Sequence, residues 1–117
     1  MDDEIINAVW EKSEIATGYN PDLVRLDCCG ALILKSEYGN CKSQFGWEID
    51  HVFPKSKGGD DNFLNLRAMQ WENNNSKSDD FPAYWSAVTA GDNENVRSRQ
   101  RMRVNYKLSD ELRNLYK

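Results

Sequence analysis

The chain has 117 residues, 39% of them hydrophobic and four of them tryptophan, which supplies one modest apolar core. A formal charge of −4 excludes a protein that coats nucleic acid indiscriminately. No apolar run approaches the roughly 20 residues of a membrane-spanning helix, and no signal-peptide pattern opens the chain, so a soluble, cytoplasmic protein with no membrane partner is expected.

The charge is unevenly spread. Residues 1–50 carry ten acidic and four basic side chains, whereas residues 51–117 carry nine and eleven. A polyanion should therefore meet the C-terminal half. Cys28, Cys29 and Cys41 form an odd set with no CxxC pair, and there is one histidine, so no structural zinc is expected. These cysteines are expected as small buried hydrophobes in a reducing compartment.

The first stretch, DDEIINAVWEKSEIATG, predicts an amphipathic helix. Ile5, Ile6, Val9 and Trp10 share its apolar face, Asp2, Asp3 and Glu4 complement its N-terminus, and Gly18 is the expected stop. Asn20-Pro21-Asp22 is a turn. Leu23–Leu26 and Ala31–Lys35 are β-prone runs on either side of Cys29-Gly30 and predict a small hairpin, with Arg25 and Asp27 as a surface pair. Ser36–Gly46 is a polar loop.

From Trp47 the pattern changes. Trp47, Ile49, His51 and Phe53 alternate with Glu48, Asp50 and Val52, which predicts a strand. In a regular strand Asp50 and His51 point to opposite faces, so for both to serve one site the strand must end or bend there, and Pro54 is placed to enforce that. The loop Lys55–Asn62 contains Gly58-Gly59, suited to a tight reversal. Asn65–Met69 predicts a second strand and Trp71–Ser78 a short helix. A carboxylate and an imidazole at a strand end, with an amide on a following helix, suit a hard divalent cation and a proton acceptor beside it. Asn73, Asn74 and Asn75 are all available to cap or to ligate.

Beyond the motif, Asp80-Phe81-Pro82 predicts a helix start, with Ala83–Ala90 as the body and Gly91 as the stop. Tyr84, Trp85 and Val88 would close the core. Arg97, Arg99, Arg101, Arg103 and Lys107 follow with no acid between them. Their alternation would place the four arginines on one side of an extended, phosphate-tracking segment. A last helix is expected over Ser109–Tyr116.

Asp50-His51, Pro54 with Gly58-Gly59, Asn65-Leu66 and Asn74-Asn75-Ser76-Lys77 stand in an order that resembles the HNH nucleases, the ββα-metal or His-Me finger superfamily. The stretch GWEIDHVFPKSKGGDDNFLNL is also similar to small stand-alone HNH proteins, and the resemblance runs from residue 5 to about 85. It implies an α+β fold: a ββα-metal core at about 46–80, with an N-terminal helix, a small β-hairpin and C-terminal helices. The whole of 1–117 would be a single domain, with a basic C-terminal extension at about 96–117.

The resemblance implies a divalent-metal-dependent endonuclease acting on DNA. His51 would be the general base, Asp50 and Asn74 the metal ligands (Asn74 chosen by the N-x-x-K spacing), and Asn65 the support for the site. Mg²⁺ is the expected ion, with Mn²⁺ as a substitute. Lys55, Lys77, Arg97, Arg99, Arg101 and Arg103 are the expected nucleic-acid contacts, and duplex DNA the expected partner. A homodimer or a larger targeting complex is compatible with the sequence. So are a non-catalytic nucleic-acid-binding module and an RNA-directed or partner-dependent nuclease.

Overall fold

A computed structural model describes all of residues 1–117, and the chain opens with helix α1 (Asp3–Glu11). Asp2 caps it by accepting from the Ile5 N–H at 2.9 Å, and Asp3 and Glu4 lie in the first turn, where acidic groups meet the helix's positive end. Val9 and Trp10 are buried, with Ile5 and Ile6 packed beside them. The helix stops at Glu11, well before Gly18, because the Arg25 guanidinium gathers the exit carbonyls. Its Nη1 donates to Glu11 O and Ser13 O, and its Nε to Pro21 O. Arg25 and Asp27 are therefore not a surface pair; both are buried and satisfied separately.

Strand β1 (Glu14–Ile15) adds to the expected hairpin of β2 (Val24–Leu26) and β3 (Leu32–Leu34), giving an antiparallel sheet in the order β1-β2-β3. The turn between β2 and β3 is closed by Gly30 N–H to Asp27 O, with Gly30 at φ +78°.

The centre of the chain is β4 (Trp47–His51), β5 (Leu66–Gln70) and α2 (Trp71–Lys77). The two strands pair antiparallel from Trp47↔Gln70 to His51↔Leu66. Alternation sends Trp47 and Ile49, with Leu66 and Ala68 opposite, toward α1, forming a core with Val9, Trp10 and Ile33. The Trp10 and Trp47 rings meet at 5.4 Å. Glu48, Asp50 and Val52, opposite Arg67 and Met69, take the other face, which α2 covers. Fully burying each such apolar side chain is worth about 1.5–3 kcal/mol, so the hairpin is held from both sides. Gln70 caps α2 by accepting from Glu72 N and Asn73 N.

The segment expected as a helix over 83–90 is not one. It forms β6 (Ala83–Trp85) and β7 (Val88–Gly91), which pair with β9 (Arg101–Arg103) and β8 (Glu94–Arg97) respectively. Alanines at 83, 87 and 90 imitate helix composition, but burial alternates: Tyr84, Ser86 and Val88 go inside and Trp85 does not. The pairing partner lies downstream, and Asp92 at φ 57° makes the β7–β8 turn. One C-terminal helix remains, α3 (Tyr106–Leu115), which begins earlier than Ser109 because Asn105 caps it at Leu108 N. Its Leu112 joins Val52, Met69, Tyr84 and Val104 in a second core. The chain is α+β, and no helix is long and apolar enough to cross a membrane.

Candidate active site

The open edge of β4 and the exposed side of α2 form a cleft of about 210 Å³. Asp50, His51, Lys55, Asn74 and Asp79 line it. Asp50 and His51 do point to opposite faces of the strand, as regular pleating requires. Because β4 ends at His51 and the β4–β5 hairpin has only two strands, both side chains reach the same edge.

The loop after β4 is built by glycine and by Asn65. A Cβ on Gly59 would sit 1.9 Å from Phe53 O, so only glycine fits, and Gly58 takes φ +106°. Asn65 is fully buried; its Oδ1 accepts from Phe53 N at 2.7 Å, and its Nδ2 donates to Phe53 O and Asp60 O. This one amide ties both ends of the loop, and with them the backbone just past His51.

His51 is 20% exposed at its side chain, and its Nε2 lies 2.7 Å from Asp61 Oδ1. A carboxylate is an acceptor, so Nε2 donates to it, and Nδ1 has no protein partner. That bond, and secondarily Lys55 at 3.5 Å, hold the exposed Asp61 carboxyl below the ordinary carboxylate range. Next to it, Tyr116 Oη donates to Asp60 Oδ1 at 2.6 Å while its ring stacks on Phe53. The contact lowers the Asp60 carboxyl too. Nothing in the sequence pairs Asp61 with a histidine ten residues away; only the loop closure brings them together.

Asp50 is 5% exposed, and both of its oxygens are engaged: Oδ2 accepts from Arg67 Nε at 3.1 Å and Oδ1 lies 3.3 Å from Lys77 Nζ. Arg67 is its cross-strand neighbour, and Lys77 comes from the last turn of α2. Lys77 is fully buried, its ammonium shared between Asp50 and the His51 carbonyl. It does not reach solvent and is unavailable to a phosphate, contrary to the expectation for it. Burial lowers its pKa, opposed by Asp50.

The three asparagines separate clearly. Asn73 is fully buried: Oδ1 accepts from Ala87 N and Val88 N, and Nδ2 donates to Asp27 Oδ2 and Val88 O. Asn75 is exposed and does not line the cleft. Asn74 does; its Nδ2 donates to Glu48 Oε1 at 3.2 Å, leaving its Oδ1 without a protein partner. Glu48 was legible in principle, since it stands two residues before Asp50 and shares its face of the strand. The oxygens of Asp50, Asn74 and Glu48 are hard donors that suit a hard divalent cation better than a thiophilic one, while those of Asp50 are engaged by Arg67 and Lys77.

The arginines do not form one row. Arg97 pairs with Glu72 on α2, Arg99 and Arg101 stand over the Trp85 ring at 4.2 and 5.3 Å, and Arg103 stands over Tyr106 at 4.3 Å. The segment is not a free arm either, since β9 is hydrogen-bonded to β6. Lys55 is exposed at the cleft rim.

β4 and α2 thus gather a histidine, an amide oxygen and a carboxylate around one cleft. Residues 42–83 match the family model described as HNH endonuclease, a segment that contains the whole cleft-lining hairpin and α2. Neither the curated proteins nor the solved structures give a match.

Proposed function

We propose that the protein is a divalent-metal-dependent endonuclease that hydrolyses phosphodiester bonds in DNA. The observation that carries the reading is the cleft itself: His51 Nδ1 free, Asn74 Oδ1 free, and Asp50 beside His51 on β4, all lining one cavity. His51 takes the proton of the attacking water at Nδ1, and Asp61 holds the ring by accepting from Nε2–H and stabilises the imidazolium that forms. Asp50 and Asn74, with Glu48 behind them, are the ligands for Mg²⁺, with Mn²⁺ as its substitute. A bound divalent ion supplies charge neutralisation at the phosphate and at the leaving oxygen. Arg67 and Lys77 fix the Asp50 carboxylate, and Asn65 fixes the loop that carries Asp61. Lys55 and the arginines stacked on Trp85 and Tyr106 supply sequence-independent phosphate contacts to duplex DNA. One such site cuts one strand per encounter.

A second reading has one observation in its favour: two cations already occupy the oxygens of Asp50. On that reading the fold binds nucleic acid without cutting it. Supercoiled-plasmid conversion with Mg²⁺, with EDTA and with His51→Ala separates the two. The endonuclease reading expects nicking that EDTA abolishes and that the variant loses while still shifting DNA in a gel. Wild-type protein that binds DNA but stays inert in Mg²⁺ and Mn²⁺ would overturn it.

A further inference from the structure

Asp27, Cys28 and Cys29, in the turn between β2 and β3, place a carboxylate oxygen and two sulfurs within 4.8 Å of one another. This is not a metal centre in waiting. Asp27 Oδ1 accepts from Cys29 N and Ala31 N, and Oδ2 from Gln70 N and Asn73 Nδ2, so its carboxylate is saturated by four donors. The other two groups are a pair of thiols with different surroundings. Cys29 is buried in the second core, whereas Cys28 is exposed, against the expectation that the cysteines are inert core residues.

The Cys28 sulfur meets an unusual set of neighbours. Tyr84 Oη, on a fully buried ring, donates to it at 3.6 Å. The Arg67 guanidinium lies over that same ring at 5.3 Å, and its Nη2 is buried with no hydrogen-bond partner. A partnerless buried guanidinium nitrogen is costly, and an acceptor offered to it is strongly favoured. Cys28 and Arg67 also share the wall of a pocket of about 260 Å³, with Lys12 across it. The Cys29 thiol first, then Arg67 and Tyr84 Oη, hold the Cys28 thiol below its usual range, while the hydrogen bond to Cys28 and burial push Cys29 up. One sulfur is thus set up as a nucleophile and its neighbour is kept a thiol.

We propose that Cys28 is a modification site that forms a mixed disulfide with a small anionic disulfide, the adduct's carboxylate entering the pocket that Cys28 shares with Arg67 and Lys12. The Cys28 thiolate attacks one sulfur of the reagent, the reagent's S–S bond breaks, and the departing thiolate takes up the proton that Cys28 lost. No other oxidant is required. The inference stands whether or not the cleft is catalytic. It has a structural link to the cleft, however, since the same guanidinium donates to Asp50 through Nε.

Cys41 is exposed on a separate loop and serves as the comparator in the wild-type chain, so the test needs no variant. The protein is incubated with oxidised glutathione at about pH 7, quenched in acid and mapped by peptide mass spectrometry. The adduct is expected at Cys28 at least about threefold faster than at Cys41, with none at Cys29. With cystamine, a cationic disulfide, the Cys28 advantage is expected to fall to near parity. Cys41 reacting as fast as Cys28 with oxidised glutathione overturns the site. An undiminished advantage with cystamine overturns the role given to Arg67.

Discussion

Asn73 and Asn74 are consecutive on α2 and face different surroundings. Asn73 is sealed between Asp27 and the β6–β7 backbone with all four of its hydrogen bonds inside the protein. Asn74 turns its amide to the cleft and anchors it through Glu48 alone. Substitution should separate them sharply. Asn73→Ala strands the Ala87 and Val88 N–H groups, removes one of the two donors to Asp27 Oδ2, and is expected to cost about 3–4 kcal/mol in chemical denaturation. Asn74→Ala should change stability by less than about 1 kcal/mol yet lose plasmid nicking. Equal stabilities for the two variants would contradict the division.

Asp61 is expected to act through His51. Asp61→Ala should lower kcat about tenfold, because the ring keeps its place on β4 but loses the acceptor that fixes its tautomer. KM should move little. A loss as complete as that of His51→Ala would mean that Asp61 touches the reacting groups itself.

Lys77 is a buried cation whose role is to face Asp50. Lys77→Met is isosteric enough to pack, but it leaves a carboxylate at 5% exposure with Arg67 alone. A loss of about 2–3 kcal/mol is expected, below the full penalty for breaking a buried pair because one oxygen is still held. DNA binding by the folded variant should be unchanged, which distinguishes this role from a phosphate contact.

The arginine cluster predicts a salt signature. Replacing Arg99, Arg101 and Arg103 with alanine should weaken duplex binding uniformly across sequences. The slope of log K against log salt should fall by about one for each phosphate that is no longer neutralised. Stability should fall as well, by about 1.5–3 kcal/mol in all at about 0.5–1 kcal/mol for each exposed cation–π pair.

Acid should loosen the His51 loop. The carboxyls of Asp60 and Asp61 are held below the ordinary value of 3.8, chiefly by Tyr116 and His51 respectively. A depressed carboxyl contributes stability above its unfolded pKa and loses it as pH falls through the folded value. The Tm difference between wild type and an Asp60→Ala, Asp61→Ala variant should hold steady above about pH 5 and close below the ordinary carboxylate pKa. A gap that persists into stronger acid would assign the contacts to packing.

What was legible in the chain was local. The alternation of Trp47–Phe53, the glycine pair and the short helix after Met69 each write their structure within a few residues, and the ββα unit follows from their order. The region after Asp80 was not legible, because β6 finds its partner in β9 and its alanines speak for a helix until that partner is present. The cleft shows the same split. That Asp50, His51 and Asn74 line one cavity was implied by the resemblance of their motif, since residue pattern alone left three asparagines open. That Asp61 meets His51, that Arg67 and Lys77 claim Asp50, and which asparagine is buried depend on how α2 and the loop dock, and no period in the sequence encodes that.

The tie between Tyr116 and the loop bears on the order of synthesis. Asp60 leaves the ribosome 56 residues before the hydroxyl that holds it, and Phe53 waits still longer for its stacking partner. A nascent chain thus carries its complete β4–β5–α2 unit for some time with the His51 loop unclamped. The β4–β5–α2 unit precedes its own clamp, and the His51 loop gains its final hold only once α3 has been added.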